Sequence, residues 1–515
     1  MRAIALLPVL AATLVACAPI RSDFRAEPSY SFDRPRETTL GRASAVAEAA
    51  HPGLSGFRLL NNGSSALVTR GVLADLAERT LDLQYFIYDA DHVGAFIADR
   101  LIAAADRGVR VRMIVDDYQL GARDDTLAHL DEHPNIEVRV FNPYPDRARW
   151  SRPLQMLFNL DTLGKRMHNK VYAVDGHAAI LGGRNLSNHY FEAEGETNFR
   201  DVDVLAVGPV VKDVQRQFDS YWNSPMVVPV AAFGLSPPSG RRKGLPEELH
   251  PFVGEQSGPF AEYLRRKDEV RSRLLTPDSG FIWARSTAVA EPPLRQAEGA
   301  EKASNEVART LAIQRQAVKN HYIMETAYFV PGERGVTLLD EIVKRGARVQ
   351  ILTNSLATTD VPAVHAGYAR YREALVASGI ELHQYRGDSA RPVPSGSRMR
   401  LGSSASALHT KVIVHDGRMV WIGSANFDPR SRRLNTETGL LIDSEALATQ
   451  VLASFRQDFS ARQSWKLVLE GEPRRLVWVG EENGRLVRHE SEPRASFLRQ
   501  LGVLFFSILP IEDLL

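Results

Sequence analysis

The chain has 515 residues, with 63 Lys and Arg against 62 Asp and Glu, a formal charge of +1 and one cysteine. A near-neutral balance argues against gripping a nucleic-acid backbone, which needs a clear cationic excess. One cysteine excludes intramolecular disulfides and cysteine-ligated zinc clusters, while 44% apolar and 24% charged residues suit a globular chain with a sizeable core.

After Met1 and Arg2 the sequence is apolar from Ala3 to Ala16. That run is shorter than the ~20 residues a bilayer-spanning helix needs, and it fits a secretory signal peptide over residues 1–16. It closes on Leu14, Val15, Ala16 and Cys17, which resembles the bacterial lipobox. The resemblance implies lipidation of Cys17 and a membrane anchor on the periplasmic side of a bacterial envelope. Several acyl chains on one residue anchor stably where one does not. Ala18, rather than Asp, follows the cysteine, which by the bacterial sorting pattern points to the outer membrane. The longest later apolar run is Leu501–Leu509, too short to span.

Residues 17–55 are polar and proline-dotted, and read as an extension. From residue 56 strands and helices alternate. Leu81–Tyr88 has strand alternation, Val93–Arg107 has helical spacing closed by Gly108, and Val109–Asp116 and Asn135–Phe141 read as further strands. This rhythm predicts a parallel or mixed sheet covered by helices. Residues 236–280 are rich in Pro, Gly and charge, and read as a linker or insertion. The pattern then recurs: His321–Phe329 as strand, Val336–Arg345 as helix before Gly346, and Ala347–Asn354 as strand. RGVRVRMIVDD at 107–117 aligns with RGARVQILTNS at 345–355, an offset of 238. A repeat of that length is a duplicated domain, here 56–235 and 281–465, followed by a C-terminal extension over 466–515.

Each copy carries the same polar constellation. His168, Lys170, Asp175, Gly182, Gly183 and Asn185 recur as His409, Lys411, Asp416, Gly423, Ser424 and Asn426. HNKVYAVD and HTKVIVHD read as strands, so period two puts His and Lys on one face. Asp-Gly then makes a turn, and the small pair before Asn lets the backbone pass close to a ligand. Two His, two Lys and two Asn offer donors for a tetrahedral oxyanion and groups for nucleophile and proton work. The constellation has no cluster of carboxylates or thiolates to hold a metal. It favours phosphoryl chemistry with neither metal nor other cofactor.

The doubled constellation closely resembles the HKD signature of the phospholipase D superfamily, over roughly residues 56–465. The resemblance implies an α/β fold: two mixed-sheet halves flanked by helices, sharing one active site. It implies a two-step displacement through a phosphohistidine, with His168 as nucleophile and His409 as general acid and base. Lys170, Lys411, Asn185 and Asn426 would bind the non-bridging oxygens. Asp175 and Asp416 would brace their loops. A carboxylate downstream of each motif would orient a histidine: Glu437 in the second half, and in the first Asp201, with Glu196 as rival.

Further phrases resemble bacterial cardiolipin synthases of the type C branch, among them RMHNK (166–170), NFRDVDVLAVGPVV (198–211), ETAYFVPGERG (325–335), GSANFDPRS (423–431) and LPIEDLL (509–515). The branch implies transfer of a phosphatidyl group to phosphatidylglycerol, with phosphatidylglycerol or phosphatidylethanolamine as donor. Phospholipid and membrane are thus the expected partners; nucleic acid is not, and oligomeric state stays open. A phospholipase D-type hydrolase and an inactive lipid-binding lipoprotein are the alternatives. Tyr85, Tyr88, Tyr328, Phe329, His365 and Tyr368 are candidates for a headgroup pocket or for core packing. Arg386, Arg391, Arg398 and Arg400, with Arg430, Arg432 and Arg433, could hold anionic headgroups or form solvated loops. Phe497–Leu509 either lies in an interface or docks on the domain.

Overall fold

The computed structural model describes residues 20, 24, 26–118, 124–148, 150–193, 198–234, 244–254, 258–276, 280–293, 305–387, 406–509 and 512. In the first half the strands Thr80–Tyr85, Arg110–Asp116 and Ile136–Phe141 run parallel, side by side. Val171–Val174 then pairs antiparallel with Thr80–Tyr85, and Ala178–Gly182, Asp203–Val207 and Ser55–Leu60 follow outward, all antiparallel. The second half repeats the plan. His321–Thr326, Arg348–Asn354 and Glu381–Tyr385 are parallel, and Lys411–His415, Met419–Gly423 and Thr438–Asp443 extend the sheet antiparallel.

One strand joins the halves. Ile282–Ala290 pairs with Ser55–Leu60 through its first residues and with Thr438–Asp443 through the rest. The last fifty residues are not a detached tail. Ser464–Glu470, Arg475–Glu482 and Arg485–His489 add a meander to the far edge of the second sheet. Within 236–280, the helix Gly258–Leu275 packs on the helix Gly63–Leu76.

Local chemistry explains the repeated elements. Asp91 caps the helix His92–Asp106 by accepting from Gly94 N–H, and Val93, Phe96, Ile97 and Leu101 face the core. The chain then turns at Gly108 with φ of 90°, a left-handed conformation that glycine takes without strain. Gly346, after the helix Gly332–Lys344, has φ of 91°.

Alternation along the motif strands decides how the halves meet. Val171 and Ala173 face an inter-half core with Val412, Val414, Val420, Ile422 and Leu440. Their neighbours Tyr172 and Val174 face the first half's own core, and Ile413 faces the second's. Each fully buried Val, Ile or Leu contributes roughly 1.5–3 kcal/mol, so the shared core holds the two motif strands in fixed relation. No helix among the described residues is long and apolar enough to cross a membrane.

Candidate active site

Each histidine sits just before its motif strand rather than in it. The strands are Val171–Val174 and Lys411–His415, shorter than the sequence pattern predicts. The reason is that the backbone at each histidine bonds to the other half. His168 N–H donates to the Thr436 carbonyl (2.9 Å), and His409 N–H to that of Arg200 (2.8 Å). Met167 bridges Thr436 in parallel, and Ser406–Leu408 pairs in parallel with Asn198–Arg200. In both places the next residue on one segment is a histidine and the next on the other is an acid.

The result is a pair of crossed dyads. His168 Nδ1 lies 2.9 Å from Glu437 Oε2, and His409 Nδ1 lies 2.6 Å from Asp201 Oδ2. The sequence leaves open which histidine each carboxylate orients; the fold gives each acid the histidine of the other half. Sheet register also makes Asp201 the counterpart of Glu437. Gly182 pairs with Asp203, and Gly423 with Gly439, two residues beyond each acid. Glu196, the rival at matching sequence spacing, lies outside the described residues. An ionised carboxylate only accepts, so each Nδ1 carries the proton and each Nε2 keeps its lone pair.

Burial is the main force on the ionisable groups. It pushes His168 down to about 4, against the pull of Glu437 and with the help of Lys170. It pushes His409 well below the usual range, aided by Lys411, Lys170 and the His168 ring. Burial raises Glu437, but His168, Lys170 and the Ser424 hydroxyl outweigh it and hold the acid below its ordinary value. Asp201 is pushed up by burial, partly opposed by Lys411 and Arg184. Lys170 falls well below the usual range, and Lys411 falls to about 8, both chiefly through burial. Lys170 Nζ donates to the His168 carbonyl (2.6 Å), and Lys411 Nζ to that of His409. An anion entering this cleft would oppose every one of the cationic losses.

The remaining motif residues divide. Asp175 and Asp416 stand at the far ends of their strands from the histidines, each with φ of 53° before a glycine of positive φ. Asp175 accepts from the N–H groups of Glu78, Arg79 and Thr80 (2.7–2.9 Å). Asp416 accepts from Lys319, Asn320 and His321 (2.7–3.3 Å). Both therefore tie a turn to the start of a neighbouring strand, and neither reaches the cleft. Asn185 is buried, accepts from Ile87 N–H (3.2 Å) and donates to the Tyr190 hydroxyl (2.9 Å). The Asn426 side-chain oxygen has no hydrogen-bond partner among the described residues.

The headgroup candidates mostly go elsewhere. Tyr85, Tyr88, Phe329 and Tyr368 belong to the apolar cores, and buried His365 is bound to Glu492 (2.9 Å). Tyr328 alone is half-buried; its hydroxyl donates to Asp360. Arg386 is buried against Trp465 and donates to the carbonyls of Ala461 and Glu481, while Arg430 donates to the Gly164 carbonyl. Arg432 and Arg433 also have partners, and Arg391, Arg398 and Arg400 lie outside the described residues, as does Cys17.

Several positioning groups escape the motif reading. Phe86 sits edge-on to His168 (ring centroids 5.2 Å), and Tyr190 edge-on to His409 (4.9 Å). Phe86 follows Gln84 at period two, and Gln84 contacts Met167, so strand alternation carries that signal. Asp116 accepts from Met167 N–H (2.8 Å), and Asn354 accepts from Leu408 N–H (2.9 Å) and donates to the Leu408 carbonyl (2.7 Å). Each thus grips the residue just before a histidine. The repeat alignment already sets Asp116 opposite Asn354.

Two α/β halves with crossed His–carboxylate dyads over one cleft are the phospholipase D architecture. The family described as cardiolipin synthase, PLD-like domain, matches residues 73–222 and 313–459. Cardiolipin synthase C of Escherichia coli strain K12 is 38% identical over 480 residues, 92% of this chain and 99% of its own length. Cardiolipin synthase B of Shigella flexneri is 25% identical over 387 residues, 75% of this chain and 76% of its own. Phosphatidylserine synthase of Haemophilus influenzae Rd KW20 has the same fold, with a TM-score of 0.56 at 14% identity over 92% of this chain and all of that one. The chain therefore belongs to the phospholipase D-like family of cardiolipin synthases.

Proposed function

We propose that this phospholipase D-family enzyme makes cardiolipin by phosphatidyl transfer to phosphatidylglycerol, from phosphatidylglycerol or phosphatidylethanolamine. The crossed pair of His–carboxylate dyads carries the reading, because a displacement in two steps needs a nucleophile and a separate proton carrier on opposite sides of one phosphorus. His168 Nε2 attacks phosphorus, and the bond to the headgroup oxygen breaks. His409, protonated once an anion is bound, gives its proton to the departing glycerol or ethanolamine hydroxyl. The phosphatidyl group is then held on His168, whose positive ring faces ionised Glu437. Neutral His409 next takes the proton of a phosphatidylglycerol hydroxyl, which attacks phosphorus and frees His168. Lys170, Lys411 and Asn426 supply positive potential for the non-bridging oxygens; Asn185 shapes the same wall. Cys17, as a lipidated N-terminus, would hold this chemistry on the periplasmic side of the envelope, most simply at the outer membrane.

The test supplies purified protein with phosphatidylglycerol, with and without phosphatidylethanolamine, and reads lipid products by mass spectrometry. Cardiolipin is the expected product, lost in His168→Ala and His409→Ala and retained in EDTA. Phosphatidic acid alone would make the enzyme a hydrolase, and no turnover would make it a binding protein. Acylation of Cys17 is read by metabolic labelling with a fatty acid, which Cys17→Ala abolishes.

A further inference from the structure

Nineteen large apolar side chains are exposed among the described residues, and eleven of them fall in two short stretches. The first holds Trp150, Leu154, Leu157, Phe158 and Leu160, on the helices Arg152–Phe158 and Leu160–Leu163 and just before them. The second holds Phe497, Leu498, Leu501, Leu504, Phe505 and Ile508, on the helix Phe497–Ile508. Trp150, Phe158, Phe497 and Ile508 are each 76–78% exposed. Isolated apolar residues on a surface need no explanation, but contiguous patches do.

The C-terminal helix is inside out. Its one charged residue, Arg499, is buried and donates to the carbonyls of Leu356 and Thr359. Phe497, Leu498, Leu501, Leu504, Phe505 and Ile508 are exposed, and Phe506 is half-buried. A helix docked in water turns its apolar stripe inward and its charge outward. This one inverts the rule, as expected of a helix whose outer face is solvated by something apolar.

Both stretches lie at the mouth end of the molecule. Val171 pairs with Gln84 and Lys411 with Thr326, so the histidines stand at the C-terminal ends of the parallel strands. The first stretch fills the connection from Ile136–Phe141 to Met167. The second packs on the loop that leaves Arg348–Asn354. Each reaches toward the cleft: Gly164, at the end of the first, accepts from Arg430, and Asp360, next to Thr359, accepts from Tyr328. The first stretch belongs to the first half and the second, in the C-terminal extension, packs on the second half, so the two flank the strand ends that carry the histidines.

We propose that these two faces form a docking surface for a phospholipid bilayer, which seats the cleft on the membrane. The proposal rests on the phospholipid reading above, since a bilayer is where such substrates reside. The electrostatics fit an anionic leaflet. The exposed face of the second helix carries no acid, and Lys165 and Arg430 border the first stretch, whose single exposed acid is Asp161. Trp150 stands at the edge of its patch, and an amphipathic ring suits the headgroup level.

The test uses the full chain with Cys17→Ala, so that no acyl anchor contributes. Flotation with vesicles of phosphatidylglycerol and phosphatidylethanolamine compares it with the same chain carrying Leu157→Ser, Phe158→Ser, Leu504→Ser and Phe505→Ser. Four lost apolar groups should lower the bound fraction at least ~10-fold. Turnover on vesicles should fall in parallel, while turnover of short-chain phosphatidylglycerol dispersed in detergent stays unchanged. Brominated lipid in the vesicles should quench Trp150 in the chain with its patches intact, and Trp150→Phe should remove that component. Equal flotation of the two chains, or absent quenching, would overturn the proposal. So would a dimer that the four substitutions dissociate without loss of flotation, which would assign the faces to a second copy. Absence of product in detergent would instead count against the phosphatidyltransferase reading, leaving the flotation result to be judged alone.

Discussion

The two dyads place an imidazole in the same way with different parts. In one, Glu437 is the longer acid, and Ser424 donates its hydroxyl to the carboxylate oxygen that His168 faces. In the other, Asp201 is a carbon shorter and lies against Gly183, where an added Cβ would come within 2.3 Å of its Oδ1. The shorter side chain thus goes with a closer backbone. The supports behind the histidines differ similarly: Asp116, paired with Arg166, grips Met167, whereas neutral Asn354 grips Leu408. The fold conserves where each ring sits and leaves the means free. One difference bears on mechanism. Glu437 is held below the usual carboxylate range, while burial raises Asp201. The firmer anion faces His168, the ring proposed to become a cationic phosphohistidine.

The largest test of that division of labour is removal of each ring. His168→Ala and His409→Ala should each lower turnover by roughly 10⁴-fold or more. Intact-protein mass spectrometry should then separate them: a phosphatidyl adduct absent in His168→Ala and detectable in His409→Ala. Exchanging the acids is the next largest perturbation. Glu437→Gln and Asp201→Asn should each cost on the order of 10³-fold by mis-setting a tautomer. Rapid-quench kinetics should show mainly slower adduct formation in the first, and slowing of both formation and breakdown in the second, since His409 carries the proton in both steps. The opposite assignment would restore own-half pairing.

Exchanging the small residues is gentler and asymmetric. Gly183→Ser drives a Cβ into Asp201 and should lower kcat about 10²-fold, as small misplacements of a catalytic group do. Ser424→Gly removes one hydrogen bond to Glu437, and a charged-group bond of about 1.5–3 kcal/mol predicts at most a loss of ~10²-fold, with the fold unchanged. The smallest effect is on pH dependence. Lys411 titrates near 8 and carries its charge below that value, so kcat/KM should fall as pH rises through about 8. The limb in kcat should lie further alkaline, because bound anion favours the charged lysine. Lys411→Met should abolish the limb in kcat/KM, and an unmoved limb would assign it to another group.

Much of this site is legible in the linear sequence. The identical spacing of His168, Lys170, Asp175 and Asn185 with His409, Lys411, Asp416 and Asn426 follows from backbone period and turn chemistry, which are local. The 107–117 and 345–355 match locates the parallel strands, and even pairs Asp116 with Asn354. What escapes is what depends on the other half. Which histidine each acid orients is such a feature. Asp201 itself is readable from its strand despite the closer spacing match of Glu196 to Glu437, and sheet register makes it the counterpart, since the first half holds extra residues between its asparagine and its acid. The headgroup aromatics were equally opaque. Tyr85 and Phe86 are adjacent, yet opposite faces of a strand send Tyr85 into the core and bring Phe86 to His168.

The sequence by itself determined a duplicated α/β chain with two phosphoryl-transfer motifs and an N-terminal segment resembling a lipoprotein leader. These rest on composition, period and local spacing, and on the likeness of two stretches 238 residues apart. Only the tertiary structure decided that the acids are crossed, because parallel pairing of Met167 with Thr436 and of Ser406–Leu408 with Asn198–Arg200 joins segments more than two hundred residues apart. It alone also decided which way the helix Phe497–Ile508 faces. An apolar run has no inside or outside until Arg499 finds its carbonyls, and once it has, Phe497 and Phe505 are left to whatever lies beyond the protein.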